Sequence, residues 1–327
     1  MTSLTAGVAI ITYNGLKYLP QQLDSIVAQS RPVSHIVISD DRSTDGTWEY
    51  LQTWAQQATI PVKLIRNDEQ LGLIRNFEQA IGAVEADIIF SSDQDDVWLP
   101  DKVALLAAVF ERHPDVLLVH TDATLVDSDG ADMGKTLLGE LELSESERDA
   151  IRSGRAFEVY CRRNLVTGAT AAFRASLLAL ARPLPATMYH DAWLALLAAA
   201  TGKVQMLETP TIHYRQHGSN LVGVKKHGMV AKMRHLWWSM NAPRPLSQIV
   251  DHLISWRADV HTRLAAHPGV AHSHVALATE ALAFARRRRS LPRNRLRRLH
   301  AVLRDTGDYK RFSNAAWSDA FRDIVNK

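Results

Sequence analysis

The chain has 327 residues and a mass of 36.5 kDa, about twice a typical single domain, so two structural units are expected. With 46% hydrophobic and 22% charged residues it is neither a disordered nor a fibrous chain, and its single cysteine, Cys161, excludes an intramolecular disulfide framework and suits a reducing, cytoplasmic compartment. The net charge of +3 conceals an asymmetry: from Lys225 onward 20 Lys and Arg face 7 Asp and Glu, whereas the residues before it hold 18 against 28. An acidic front and a basic tail are expected to face different partners.

Ala6 to Thr12 is a short apolar run ending at the turn signal Tyr13-Asn14-Gly15, a strand rather than a secretory leader, since Met1-Thr2-Ser3-Leu4 carries no cation. Leu19, Leu23, Ile26 and Val27 recur at helical spacing. His35 to Ser39 is a second strand, stopped by Asp40-Asp41-Arg42-Ser43-Thr44-Asp45-Gly46, and the next helix starts near Thr47 with Trp48, Leu51 and Trp54 turned inward. Further strands are predicted over Val62 to Ile65, Ile88 to Phe90 and Val116 to His120, with helices over Leu73 to Ala83 and Lys102 to Arg112. This alternation implies βαβ units and a mostly parallel sheet covered on both faces. From Thr121 to Tyr160 the pattern weakens and reads as an insertion with one helix near Ser144 to Ser153. Structure returns at Leu165 to Phe173, Ala192 to Ala200, Val204 to Leu207 and Thr211 to Tyr214; after Val224 only helical patterns appear. The Ala192 to Ala200 run is far shorter than the roughly 18–20 apolar residues that span a bilayer.

Open parallel sheets bind ligands beyond the carboxyl ends of their strands. Asp40-Asp41 and the group Asp93, Asp95 and Asp96 both lie at such ends and are expected to meet in one crevice. So many carboxylates repel unless a cation or hydrogen-bond donors compensate. In an extended loop Asp93 and Asp95 point the same way and set two hard oxygen ligands side by side, which suits Mg2+ or Mn2+ holding a diphosphate. Acidic turns and helix caps are the competing reading, and Asp101, before Lys102, is expected to be a cap.

Taken in order, Ile11-Thr12-Tyr13-Asn14, SDDRSTDGT (Ser39 to Thr47), Gly72 through Arg75-Asn76 and SDQDDVW (Ser92 to Trp98) resemble the family 2 inverting glycosyltransferases with the GT-A fold. The longer run SDQDDVWLPDK is similar to their rhamnosyltransferase-like branch. The resemblance implies an α/β, Rossmann-like GT-A catalytic domain over residues 1–222, followed by a basic helical region over 223–327. It places Tyr13 against the nucleobase with Ile11 beside it, Asp41 as acceptor for the N3–H of uracil or thymine, and Arg75 on the nucleotide side. Asp93 is implied at the ribose, Asp95 at the metal, and Asp96 orienting sugar or metal-bound water. A carboxylate matches that N3–H donor, which cytosine lacks, so a CMP-sugar donor is disfavoured.

The same resemblance makes Asp191, at the start of the Ala192 helix, the general base, where spacing alone allows a plain helix cap. His190 is the weaker base candidate, and Trp193 is expected beneath the site. His217, in TIHYRQHGSN (Thr211 to Asn220), is implied as a further metal ligand, which favours Mn2+ over Mg2+, and Arg215 is an alternative partner for the diphosphate. Gly168 and Ala169 match small residues beneath the acceptor sugar, and Asp122 and Asp127 are weaker acceptor candidates. The implied reaction moves a sugar with inversion, best L-rhamnose from dTDP-β-L-rhamnose, to a glycan or lipid-linked glycan hydroxyl of a bacterial surface polysaccharide. UDP-hexoses and UDP-N-acetylhexosamines stay open as donors. A sugar-nucleotide-binding assembly protein without turnover is the rival class, although Asp41, Asp93, Asp95 and Asp191 are all present.

The tail holds eight arginines in the thirteen residues from Arg286 to Arg298, and Leu296, Leu299, Val302 and Leu303 form a stripe there. Upstream, Met229, Met233, Leu236, Trp237 and Met240 repeat at helical spacing beside Trp238. Such helices lie at an anionic membrane surface, placing the enzyme peripherally on the inner face of the cytoplasmic membrane, or pack their stripe on the catalytic domain; both readings stand. No nucleic-acid recognition motif accompanies the charge, so nucleic acid is not an expected partner.

Overall fold

The structure, a computed structural model, describes residues 3–218 and 246–325. The boundary near 222, Ser219 and Asn220 of the predicted closing loop, and the Met229-to-Met240 pattern lie outside the described residues.

All seven residues of β1 (Ala6–Thr12) are buried, because the strand is central and covered on both faces. It pairs in parallel with β2 (His35–Asp40) on one side and with β4 (Ile88–Ser92) on the other, and β3 (Val62–Arg66) extends the block beyond β2. Alternate residues of β1 serve opposite cores. Val8 and Ile10 pack with Leu19 and Leu23 of α1 (Leu19–Val27), Leu51 of α2 (Thr47–Gln57) and Leu106 of α4 (Lys102–Arg112). Ala9 and Ile11 pack with Phe77 and Ile81 of α3 (Leu73–Gly82) on the far face.

The other half of the sheet is mixed. The whole sheet runs β3-β2-β1-β4, then β8 (Ala171–Arg174), β6 (Val116–Val126), β9 (Lys203–Arg215) and β5 (Val97–Trp98), with β7 (Asp132–Thr136) beside β6. The short β8 (Ala171–Arg174) runs antiparallel to both β4 and β6. The 13-residue β9 (Lys203–Arg215) is parallel to β6 and antiparallel to β5 (Val97–Trp98). The two strands expected at Val204 and Thr211 are thus one.

The predicted insertion is also more regular than its hydropathy pattern implies. β6 continues through Val126, and α5 (Leu137–Glu140), α6 (Glu145–Arg152) and α7 (Ala156–Tyr160) come after it. Periodicity fails here because β6 buries polar residues in specific bonds: Thr121 Oγ1 lies 2.6 Å from Thr211 Oγ1, and Asp122 accepts the Leu138 N–H at 2.9 Å. α6 begins at a reciprocal capping box between Ser144 and Glu147.

After α8 (Leu178–Ala181), α9 (His190–Thr201) is buried along most of its length. The C-terminal helices close on it. Val260 and Leu264 of α10 (Leu246–Ala265) and Ala278 of α11 (His272–Arg289) belong to the same core as Trp193 and Leu194. α12 (Arg295–Arg304), α13 (Thr306–Phe312) and α14 (Ala316–Val325) gather around Phe284, Val302, Tyr309 and Phe312. Two of the eight clustered arginines serve this packing. Arg288 forms a buried ion pair with Asp323 at 2.6 Å, and buried Arg298 donates to the carbonyls of Pro292 and Arg293.

Candidate active site

The carboxyl ends of β1, β2 and β4 open into one cavity of about 1430 Å3, as the sheet topology demands. Ile11, Tyr13, Asp41, Asp93, Asp95, Gly168, Asp191 and His217 line it. Residues from distant parts of the chain therefore meet across the crevice.

At the β1–β2 end of the cavity, Asp40 organises the loop rather than facing the cavity. It is fully buried and accepts from Thr12 Oγ1 at 2.8 Å and the Ser43 N–H at 2.9 Å. Asp41 then points inward, its carboxylate receiving the Leu71 N–H at 2.7 Å, the Gly72 N–H at 2.9 Å and Asn67 Nδ2 at 2.9 Å. A carboxylate offers about four acceptor positions, so one further donor can still be taken. Tyr13 stands 48% exposed, its ring open to a planar ligand. Its backbone is clamped by Gln94, whose Oε1 accepts the Tyr13 N–H at 2.8 Å and whose Nε2 donates to the Tyr13 carbonyl at 3.1 Å. Gly15 permits that clamp, since a Cβ there would sit 2.2 Å from Gln94 Oε1. Neither Gln94 nor Gly15 is legible as a site residue in the chain, because pattern reading weights the aspartates around the amide.

The acidic loop lies deeper. Burial, then the neighbouring Asp95 and Asp191, push the Asp93 carboxyl up to about 7, and burial with Asp95 and Asp93 raises Asp96 well above the usual carboxylate range. Asp95 Oδ2 and His217 Nε2 lie 2.8 Å apart, and His217 stacks on Tyr18 at 4.9 Å. Among the described residues no three metal-ligating side chains form a complete cage. One carboxylate and one imidazole side by side, Asp95 and His217, fit a cation that takes its remaining ligands from a diphosphate.

The counter-charge is a residue that in the sequence marks only the start of a helix. Lys102 is fully buried, its Nζ 2.5 Å from the Ala169 carbonyl and 4.0 Å from the Trp98 ring centre. Burial pulls its ammonium down to about 7 against the pull of Asp96 and Asp93. Only the tertiary fold brings α4 under the acidic loop; a lysine at a helix start carries no such signal. Asp101 beside it does not cap α4 but accepts from Ser30 Oγ at 2.6 Å.

Across the cavity, Asp191 occupies the first turn of α9. Oδ1 accepts the Ala192 N–H at 2.6 Å and Oδ2 the Gly168 N–H at 3.2 Å. Burial raises its carboxyl to about 6 despite those bonds, close to what proton uptake at neutral pH requires. His190 cannot compete as a base: burial lowers it to about 3, and its ring stacks on Phe77 at 3.7 Å. A Cβ on Gly168 would lie 2.7 Å from His190 Nε2, so the glycine lets the loop reach Asp191.

Five predicted residues stand outside the cavity lining. Arg75 lies on the exposed side of α3, whose inward face presents Leu73 and Asn76 instead. Asp96 is buried below the loop and accepts the Arg215 N–H at 3.0 Å. The Arg215 guanidinium is spent on protein partners, donating to the Asp95 carbonyl at 2.9 Å and Gln21 Oε1 at 2.7 Å. Ala169 is buried and contributes its carbonyl to Lys102, and Trp193 packs beneath the site with Nε1 on the Ala181 carbonyl at 2.9 Å. The weaker acceptor candidates are structural as well: Asp122 ties down Leu138, and Asp127 closes a turn onto Asp129 and Ala131. From that segment Ser128, Leu137, Glu140 and Leu141 line the cavity, and Lys17 brings a cation to its rim.

Comparison with known proteins gives the family and the fold. Residues 7–178 match the family described as Glycosyl transferase family 2, and the chain belongs to that family. It is 27% identical over 217 residues to an uncharacterized glycosyltransferase of Nostoc, a match covering 65% of each chain. It is 32% identical over 120 residues to the abequosyltransferase RfbV of Salmonella typhimurium, 36% of each chain, and 34% identical over 96 residues to the dTDP-rhamnosyl transferase RfbG of Shigella flexneri, 28% of this chain and 33% of that one. The chain therefore spans about two thirds or less of these relatives' own length. Among solved structures it is similar to S. aureus TarS 1–349 in complex with UDP-GlcNAc, with a TM-score of 0.57 at 14% identity over 98% of this chain and 89% of that one. It is also similar to the mannosyltransferase PcManGT of Pyrobaculum calidifontis in complex with GDP-Man and Mn2+, with a TM-score of 0.51 at 19% identity over 99% and 86%. The fold the chain shares with these neighbours is GT-A.

Proposed function

We propose that this chain is an inverting transferase that moves L-rhamnose from dTDP-β-L-rhamnose to a hydroxyl of a glycan or lipid-linked glycan in bacterial surface polysaccharide synthesis. The observation that carries the catalytic part is Asp191: a carboxylate raised to about 6, backbone-anchored, in the same cavity as Asp41 and the acidic Asp93–Asp95 loop. Tyr13 stacks on the base, Asp41 takes its N3–H, and Asp93 meets the ribose. Mn2+ or Mg2+, held by Asp95 and His217, would compensate the charge that builds on the departing diphosphate.

The acceptor oxygen attacks the anomeric carbon from the face opposite the diphosphate. Its proton passes to Asp191, the anomeric C–O bond breaks, and the electron pair leaves on the β-phosphate oxygen of dTDP. Configuration inverts, giving an α-L-rhamnoside. The rhamnose assignment draws support from the SDQDDVWLPDK run and from the likeness to the Shigella dTDP-rhamnosyl transferase. A UDP-hexose or UDP-N-acetylhexosamine is the second reading, since the N3–H that Asp41 accepts is common to uracil and thymine.

Calorimetry with Mn2+ and a panel of dTDP- and UDP-sugars tests the proposal, with Asp95→Ala as control. Metal-dependent binding of dTDP-rhamnose, lost in the variant, is expected. Preference for a UDP-sugar would overturn the rhamnose assignment alone, and metal-independent binding would overturn the roles of Asp95 and His217.

A further inference from the structure

We propose that α12 and α14 form a docking face for an anionic lipid bilayer. Each helix leaves one apolar stripe uncovered by the described residues. On α12, Leu296, Leu299 and Leu303 fall at i, i+3 and i+7, with Leu296 78% and Leu303 60% exposed. On α14, Trp317, Phe321 and Val325 fall at i, i+4 and i+8, with Trp317 73% exposed. The inner faces of both helices are already engaged: Val302 and Ala320 belong to the core around Phe284 and Tyr309. Both stripes therefore lie on the sides turned away from that core.

Charge selects the occupant. Exposed Arg293, Arg295 and Arg297 flank the α12 stripe and form no ion pair among the described residues. The carboxylates of this region are matched internally: Asp323 to Arg288, Asp305 and Asp308 to Arg287, and Asp319 to Arg322. α12 itself contains no acidic residue. An apolar stripe edged by uncompensated arginines asks for a partner that is anionic at its surface and hydrocarbon just beneath. A bilayer containing acidic phospholipid is that partner, with tryptophan suited to its interface. No helix among the described residues is long and apolar enough to cross a membrane, so the contact is lateral. The face is remote in sequence from the cavity residues, and the inference stands whatever the donor proves to be.

Co-sedimentation of the full chain with phosphatidylglycerol-containing vesicles, against pure phosphatidylcholine vesicles, at low and high salt, tests this. Binding to the anionic vesicles is expected, weakening with salt. A basic residue near an acidic surface contributes roughly fivefold in affinity, so Arg293→Gln with Arg295→Gln and Arg297→Gln predicts a loss of about a hundredfold. Leu303→Ser with Trp317→Ser should abolish binding, while thermal unfolding stays at the wild-type midpoint because both side chains are exposed. Indifference to lipid charge, or binding that survives both variant sets, would overturn the proposal. So would a dimer in light scattering that dissolves in the Leu303→Ser, Trp317→Ser variant, which would assign the face to a second copy of the chain.

Discussion

Replacing Asp191 by asparagine keeps the shape of the side chain and removes its basicity. The magnitude comes from its surroundings. A positioned general base contributes about 10²–10⁴ to the rate, or about 3–5 kcal/mol of barrier. The stability term has the opposite sign. Burial raises this carboxyl to about 6 from an ordinary value near 3.8, so the folded state binds its proton more tightly than the unfolded chain does. Stability from this group is full below about pH 4 and is lost as pH rises through 6, and at neutral pH the ionised carboxylate costs the fold on the order of 3 kcal/mol. Asparagine removes that cost. It also sets an amide donor against either the Gly168 or the Ala192 N–H, a loss of about 1–3 kcal/mol. The two contributions nearly cancel. Asp191→Asn is therefore expected to lose about 10²–10⁴ in kcat while unfolding within a few degrees of wild type. Chromatographic detection of released nucleoside diphosphate and glycosylated acceptor gives the first quantity, and thermal unfolding at pH 7 the second. The wild-type rate should fall with unit slope below about pH 6. Transfer at the wild-type rate, or inactivity accompanied by a large drop in unfolding temperature, would refute the assignment.

Tyr13→Ala should weaken donor binding by about 1–3 kcal/mol through lost base stacking, with no change in stability because the ring is half exposed; titration with the free nucleoside diphosphate reads this. Lys102→Met leaves Asp93 and Asp96 without a counter-charge and removes the donor to the Ala169 carbonyl, a loss partly offset by relief of the burial that pulls this ammonium down to about 7. A net destabilisation of about 1–3 kcal/mol is expected in urea unfolding in metal-free buffer. Added divalent cation should restore part of that loss if the acidic loop binds it. Gly168→Ala brings a methyl to 2.7 Å from His190 Nε2 and should reduce kcat more than donor affinity, since the loop it moves anchors Asp191 rather than the nucleotide.

Much of the fold is local in origin. The apolar runs at Ala6, His35 and Ile88 read as buried strands and are strands, and the loops SDDRSTDGT and SDQDDVW lie at the carboxyl ends of two of them, where the crevice forms. The chain beyond β4 is less legible for a physical reason. β6 and β9 bury polar side chains whose partners can lie 90 residues away, and hydropathy periodicity cannot register a bond such as Thr121 to Thr211.

The same division holds in the site. Asp41, Asp93, Asp95 and Asp191 stand at predicted strand ends and a predicted helix start, so their place beside the cavity is legible in the chain, whereas the roles given to them come from the family resemblance. Their neighbours do not announce themselves. Gln94 clamps Tyr13, Lys102 sits under the acidic loop, and Arg215 holds that loop through the Asp95 carbonyl. In the tail, composition determined that the region is cationic. Packing alone decided that Arg288 and Arg298 are interior, and that Leu296, Leu303 and Trp317 face outward. A residue's type is written in the sequence, but its partner is chosen by which distant element the fold lays against it, and that partner decides whether a charge is spent inside or offered to a ligand.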